Sequence, residues 1–287
     1  MIHFAHAHCL NVARRNESLR GHLAAADDVF PDGAGLRLAG RLLGFSVPAN
    51  LNGTDLLPDL CSSAAVRGIP LCLVGAAPGV AAACAQRLKK VHAGLAVPIV
   101  VDGFRSHDEY LNIAEQIRDL GRCIVLVGMG TPLQERWAWR YLGGAPGTTV
   151  VTVGGLFDFF SGRVPRAPQF LRSAGLEWTY RLWQEPRRMA RRYLAGNPLF
   201  VLRVLKQRIE SGGAGSATNE LDRIPHRNTT HSPTLVRGAA GPGGSLNIDR
   251  SGASASPADR NGSAHCGLAQ RRIFRTGTSD CEDGDMS

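Results

Sequence analysis

Up to about residue 160 the chain repeats one order: a short apolar run, a glycine turn, then a helical pattern. Ile69 to Val74 reads as a buried strand, followed by Gly75-Ala76-Ala77-Pro78-Gly79 and a helix to about Val91. Val97 to Val101 reads as a strand ending at Asp102-Gly103-Phe104, with a helix from about Asp108 to Leu120. Cys123 to Val127 is a further strand, followed by Gly128-Met129-Gly130 and a helix from Pro132. Thr148 to Val153 closes the series at Gly154-Gly155. Nearer the start, Ile2 to Ala7 fits a strand, and Leu36 to Leu43 a helix after the turn Pro31-Asp32-Gly33. That repeated order means an α/β fold, a mostly parallel, Rossmann-like sheet with helices on both faces. Ligands of such sheets bind beyond the carboxyl ends of the strands. The glycine turns are therefore the first places to look for a site.

From Gly162 the texture changes. Aromatics and arginines interleave, and Pro165, Pro168, Pro186 and Pro198 cut the helices. Between Arg163 and Arg208 lie eleven basic residues, opposed only by Glu177 and Glu185, in a chain of net charge +9. Such a block seeks phosphate, anionic lipid or nucleic acid. Beyond about Ser211 the composition turns to Gly, Ser, Ala and Asn with little periodicity. The expected division is an α/β unit over 1–161, a basic helical appendage over 162–210 and a disordered tail over 211–287. The seven cysteines form no CxxC pair and several sit in apolar patterns, as buried thiols of a reducing compartment do. The Met1-Ile2-His3-Phe4 start has no charged n-region or long apolar stretch, and no run is long enough to span a bilayer. A cytoplasmic protein that can lie against a membrane is expected.

Each motif carries a structural reading beside a functional one. In Pro31-Asp32-Gly33 the Asp32 carboxylate stands at a tight turn near the ligand edge, where it could deprotonate an acceptor hydroxyl; the tripeptide is also ordinary turn chemistry. Gly128 and Gly130 let the backbone approach a ligand, and the following helix offers free N–H groups to a diphosphate. Thr131, Pro132 and Gln134 equally fit a helix start, with Thr131 as N-cap and Gln134 closing a capping box. Asp158, after Gly154-Gly155, can accept from a nucleotide or cap a turn. Gly75 belongs to a third glycine turn. Arg181, Arg188 and Arg192 would share one face of a continuous helix, a register that Pro186 can break. Aromatics beside these arginines suit an interfacial helix, and a solvated basic face is the alternative. His3, His6 and His8 alternate on the first strand with no further ligand at metal spacing, so no metal site is expected.

The order of these segments resembles glycosyltransferase family 26, the WecG/TagA/CpsF family. The likeness runs from Pro31-Asp32-Gly33 through Asn52-Gly53-Thr54-Asp55-Leu56, Leu73-Val74-Gly75-Ala76 and Asp102-Gly103-Phe104. It continues through Gly128-Met129-Gly130-Thr131-Pro132-Leu133-Gln134-Glu135, Gly154-Gly155-Leu156-Phe157-Asp158, Arg166-Ala167-Pro168 and Gly175-Leu176-Glu177-Trp178. It covers roughly residues 2 to 205, and the chain is shorter than the family at its N-terminus by a strand and a helix. The resemblance implies inverting, metal-independent transfer from a UDP-sugar of N-acetylmannosamine or hexose type. The implied acceptor is an undecaprenyl-diphosphate-linked sugar in cell-surface polysaccharide synthesis, met at the inner membrane face. It implies Asp32 as base, Gln134 in the active site, and His6 near the donor where relatives often carry Asn. It places Asp158 by the nucleotide, and Arg166, Arg181, Arg188 and Arg191 in or beside an appendage that closes over the site. No cofactor is implied, nucleic acid is not among the partners, and self-association is left open.

Two other readings stand beside this one. A nucleotide-binding oxidoreductase or methyltransferase would want the full glycine fingerprint, which is absent. A non-catalytic, membrane-associated relative would keep the basic appendage and lose transfer.

Overall fold

The computed structural model describes residues 1–47, 53–173 and 175–213. Asn52 and the tail from residue 214 lie outside the described residues. Six strands form one parallel sheet in the order β2-β1-β6-β5-β3-β4. They are β1 (Ile2–Ala5), β2 (Asp28–Pro31), β3 (Leu71–Gly75), β4 (Val100–Val101), β5 (Cys123–Gly128) and β6 (Thr148–Thr152). Helices α1 (Ala7–Ala13), α2 (Glu17–Ala24), α3 (Ala34–Leu43), α4 (Gly53–Val66), α5 (Val80–Val91), α6 (His107–Asp119), α7 (Leu133–Leu142) and α8 (Leu156–Phe160) connect or follow them.

The apolar runs are continuous because these strands are covered on both faces. Leu71 and Leu73 of β3 and Leu126 of β5 pack with Ala81, Cys84 and Leu88 of α5. Their neighbours Cys72, Val74, Val125 and Val127 point the other way, against Ile113, Ile117, Trp137 and Tyr141 of α6 and α7. A third core joins α1, α2 and α3, and Phe200 and Val204 belong to it. Those two residues come from α12 (Gly196–Gly213), the last helix of the basic segment. The C-terminal segment is thus anchored by apolar packing. Between α8 and α12 run α9 (Gln169–Ser173), α10 (Glu177–Gln184), α11 (Pro186–Ala190) and a π-helical turn over Arg191–Ala195.

Several boundaries differ from the sequence reading. The first strand stops at Ala5, because His6 turns the chain and its Nδ1 caps α1 by accepting the Cys9 N–H at 2.9 Å. The three histidines therefore do not alternate on one strand: His3 is buried in β1, His6 is a helix cap, and His8 is in α1. Strand β2, unannounced by the sequence, is an edge strand ending in Pro31, where a missing N–H is tolerated. Only Val100–Val101 of the expected Val97–Val101 run pairs with β3. Arg181 and Arg188 sit on separate helices, since α10 ends at Gln184 and Pro186 opens α11. The last helix continues to Gly213, two residues past the expected start of the tail. No helix of the described residues is long and apolar enough to cross a membrane.

Candidate active site

The turns after β3 and β5 lead to helices on opposite faces of the sheet, which opens a crevice between them. Backbone contact shapes its floor. A Cβ on Gly75, which has φ +129°, would meet the Gly128 carbonyl oxygen at 2.4 Å. One on Gly128 would meet the Gly154 carbonyl and the Phe157 ring at 2.9 Å. The strand ends can approach this closely only without side chains. Ala76 takes the left-handed φ of +61°, donates to Gly128 O at 2.7 Å and accepts from the Gly103 N–H at 2.9 Å. That ties three turns together.

Above this floor lies a cavity of about 450 Å³. One wall is aromatic: Tyr110 meets Trp137 edge-on at 5.6 Å, and both rings lie 5.4 Å from Tyr141. Phe104 stands at this cavity 75 % exposed, on a loop braced by Arg105 ion pairs to Asp102 at 2.6 Å and Glu109 at 3.3 Å. The polar lining is cationic, from Arg136, Arg140, Arg163 and Arg188. Asp158 is the acid that faces them; it is 7 % exposed, with Arg163 and Arg188 each 3.8 Å from a carboxyl oxygen. The indole Nε1 of Trp137, also at the cavity, is buried without a partner. An apolar wall with a few convergent polar groups is the usual make-up of a small-ligand site.

Asp32 stands at the same carboxyl edge, two strands away. Its N–H donates to Ala5 O at 2.7 Å, extending the β1–β2 ladder by one bond. Desolvation pushes its carboxyl up to about 6, from the usual carboxylate range. Arg192, Arg181 and Arg37 oppose that rise and Glu177 adds to it. His6 is the adjacent group, at the end of β1. Burial and the charges of Arg192, His8 and Arg181 hold its pKa well below normal, so the ring is neutral at pH 7. Its Nδ1 accepts the Cys9 N–H, which places the ring proton on Nε2. The result is a base candidate beside a fixed N–H donor.

Arg181 connects the two regions. Its guanidinium lies 4.8 Å from the centre of the Phe159 ring, and its Nη2 would touch a Cβ on Gly155 at 3.0 Å. It also acts on the charges of both Asp32 and His6. A diphosphate bound between the cavity and Asp32 would meet it.

The glycosyl transferase WecG/TagA/CpsF family matches residues 1–213. A relative from Bacillus spizizenii strain W23 is 32 % identical over 194 residues, which are 68 % of this chain and 74 % of that protein. It is named N-acetylglucosaminyldiphosphoundecaprenol N-acetyl-beta-D-mannosaminyltransferase. This chain belongs to the WecG/TagA/CpsF family. It is a glycosyltransferase, and the oxidoreductase and methyltransferase readings are set aside.

Within this WecG/TagA/CpsF protein the anticipated residues separate into groups. Gly128, Gly130, Asp158 and Arg188 line the cavity, with Gly75 beneath it. Asp32, His6 and Arg181 form the second region. Gln134 faces neither as a free group. It is 3 % exposed, its Oε1 accepts the Gly154 N–H at 2.8 Å, and its Nε2 donates to Glu135 Oε1 at 2.8 Å. Thr131 is not the N-cap: Pro132 takes that position, with no side-chain cap, and the Thr131 hydroxyl donates to Glu135 Oε1 at 3.0 Å. The capping box expected of Gln134 is therefore replaced by bonds to Glu135. Arg166 is engaged away from the cavity, 2.5 Å from Asp55 and 3.7 Å from Glu177. Arg191 is exposed, and Arg192 on the same π-helical turn faces Asp32. Sequence reasoning put Arg192 on the arginine face of the appendage without assigning it to the site, and missed Arg136, Arg140 and the aromatic wall. The i,i+4 spacing of Arg136 with Arg140, and of Trp137 with Tyr141, was the available signal.

Proposed function

We propose that this glycosyltransferase moves an N-acetylmannosamine-type sugar or a hexose from a UDP-sugar to an undecaprenyl-diphosphate-linked acceptor, with inversion, in bacterial surface polysaccharide synthesis. The observation that carries the reading is Asp32 at the carboxyl edge of the sheet, under the charges of Arg192 and Arg181, with the aromatic and arginine-lined cavity on the same edge. The name of the Bacillus relative supports the sugar and the acceptor class.

In this reading the nucleoside lies against the aromatic wall, with the exposed Phe104 as a further contact. The diphosphate extends past Arg188 toward Arg181. The acceptor hydroxyl approaches Asp32, which takes its proton as the oxygen attacks the anomeric carbon. The new C–O bond forms as the bond from that carbon to the diphosphate oxygen breaks, and UDP leaves with both electrons. Arginines supply the positive charge that the leaving group needs. The neutral Nε2–H of His6 donates to a sugar or phosphate oxygen next to Asp32.

The C-terminal helices suit a membrane contact. Trp183 is 78 % exposed, and Leu194, Leu199 and Leu202 are exposed near Arg187 and Arg191. Apolar side chains beside guanidiniums match an anionic interface, where the lipid-linked acceptor resides. The test is a panel of UDP-sugars offered with a GlcNAc-diphospho-polyprenol acceptor and read by mass spectrometry. A product heavier by one glycosyl unit is expected; UDP-sugars left intact across the panel would refute the reading.

A further inference from the structure

Glu135 is an acid in an expensive place. It is fully buried at the start of α7, and its partners, a hydroxyl and an amide, are both neutral. Burial raises its pKa, and Oε2 has no partner outside residue 135 itself. A leucine of similar volume would avoid the desolvation, so packing alone gives no reason for a polar acceptor here.

The bonds give one. Glu135 Oε1 accepts from Thr131 Oγ1 at 3.0 Å and from Gln134 Nε2 at 2.8 Å. Gln134 Oε1 then accepts the Gly154 N–H at 2.8 Å. Thr131 belongs to the turn after β5, and Gly154 to the turn after β6; both turns border the cavity. Cys9 lies beside Thr131 and Glu135, and its own N–H fixes the His6 ring. One carboxyl oxygen thus ties two ligand-edge turns and abuts the helix that presents His6.

We infer that Glu135 is a positioning residue for sugar transfer, holding the Gly128–Pro132 and Gly154–Gly155 turns in the shape that receives the nucleotide diphosphate. It acts through Gln134 and Thr131 and touches no substrate. The inference rests on the proposed UDP-sugar reading. The requirement is for an acceptor oxygen in the chain of bonds, which a glutamine can also supply.

The test uses the full-length protein, with UDP affinity by calorimetry, transfer kinetics and a melting curve for each variant. Glu135→Gln keeps UDP affinity and kcat/KM within about threefold of wild type, and Glu135→Leu lowers both by about tenfold or more. The pH at which the acid limb of kcat/KM falls, set by Asp32, does not move. Adding Gln134→Leu to Glu135→Leu costs little more, because both cut one chain. Should Glu135→Leu fail to fold, Gln134→Leu alone breaks the next bond and lowers UDP affinity by a similar factor. A lower Tm with unchanged UDP affinity and kcat/KM would make Glu135 merely structural. Equal damage from Glu135→Gln and Glu135→Leu would overturn the acceptor requirement. Wild-type protein that binds UDP but transfers no sugar defeats the transferase reading, while the UDP affinities still judge Glu135.

Discussion

The cavity and the Asp32 region share one edge of one sheet, yet they are built differently. The cavity comes almost entirely from residues 76 to 163, with Arg188 added from outside. Its floor is backbone against backbone at Gly75, Gly128 and Gly154, and its wall is a single turn and a half of α7 with Tyr110. The Asp32 region takes its acid and its histidine from the first 32 residues and one cation, Arg37, from α3; its other cations are Arg181 and Arg192. Those two are held in place because α12 buries Phe200 and Val204 against α1–α3. The cavity is therefore encoded locally, in strand–turn–helix units, and the surroundings of Asp32 depend on a long-range docking. Perturbing the C-terminal helices should disturb Asp32 before it disturbs the cavity.

The sharpest way to break that division is Asp32→Asn. Transfer should fall by about 10²–10⁴-fold, the usual worth of a positioned base, with UDP affinity nearly unchanged. Steady-state kinetics and calorimetry on the same preparation check both halves. The variant should also stabilise the fold in one pH window. Because folding raises the Asp32 pKa to about 6, stability is favoured below the ordinary carboxylate range and lost as the pH rises through 6. An asparagine carries no such penalty. Melting temperatures should therefore favour Asp32→Asn at pH 7.5 more than at pH 4. Turnover at the wild-type rate would remove Asp32 from the chemistry.

How much of this was readable from sequence follows the same division. The strands covered on both faces show as apolar runs, and the glycine turns show because a side chain there would collide with the neighbouring strand. That was enough for the fold and the cavity floor. Strand β2 was hidden because an edge strand of Asp28-Val29-Phe30-Pro31 has no continuous apolar run. His6 was misplaced on a strand because the extended pattern of His3-Phe4-Ala5 runs into the cap without a break. Thr131 and Gln134 were read as helix-start chemistry, since local spacing cannot reveal a bond to a buried Glu135 or to Gly154. The helical count placed Arg192 with Arg181 and Arg188, whereas the family resemblance pointed to Arg191; in the structure Arg192 is the one whose charge acts on Asp32.

Arg188→Ala probes the cavity side of the comparison. Arg188 lines the cavity and stands 3.8 Å from Asp158, so its loss removes a cation from the proposed diphosphate path and loosens the Asp158 pair. UDP should bind about tenfold more weakly, with binding of uridine almost unaffected. Equal losses for uridine and UDP would place Arg188 on the nucleoside instead.

Arg192→Gln probes the other side and should have the smallest effect at neutral pH. The guanidinium favours the ionised form of Asp32, and it also depresses the pKa of His6. Removing it lets the Asp32 pKa rise above about 6, so the acid limb of kcat/KM moves toward higher pH. Well above the new pKa, Asp32 is ionised in both proteins and the rates converge, unless Arg192 also contacts the leaving group. A shifted limb with a common plateau therefore assigns Arg192 to tuning the base. A lowered plateau with an unshifted limb assigns it to the diphosphate. In the first outcome the C-terminal helices set the working pH of an acid 160 residues earlier in the chain, which is what the long-range construction of that region requires.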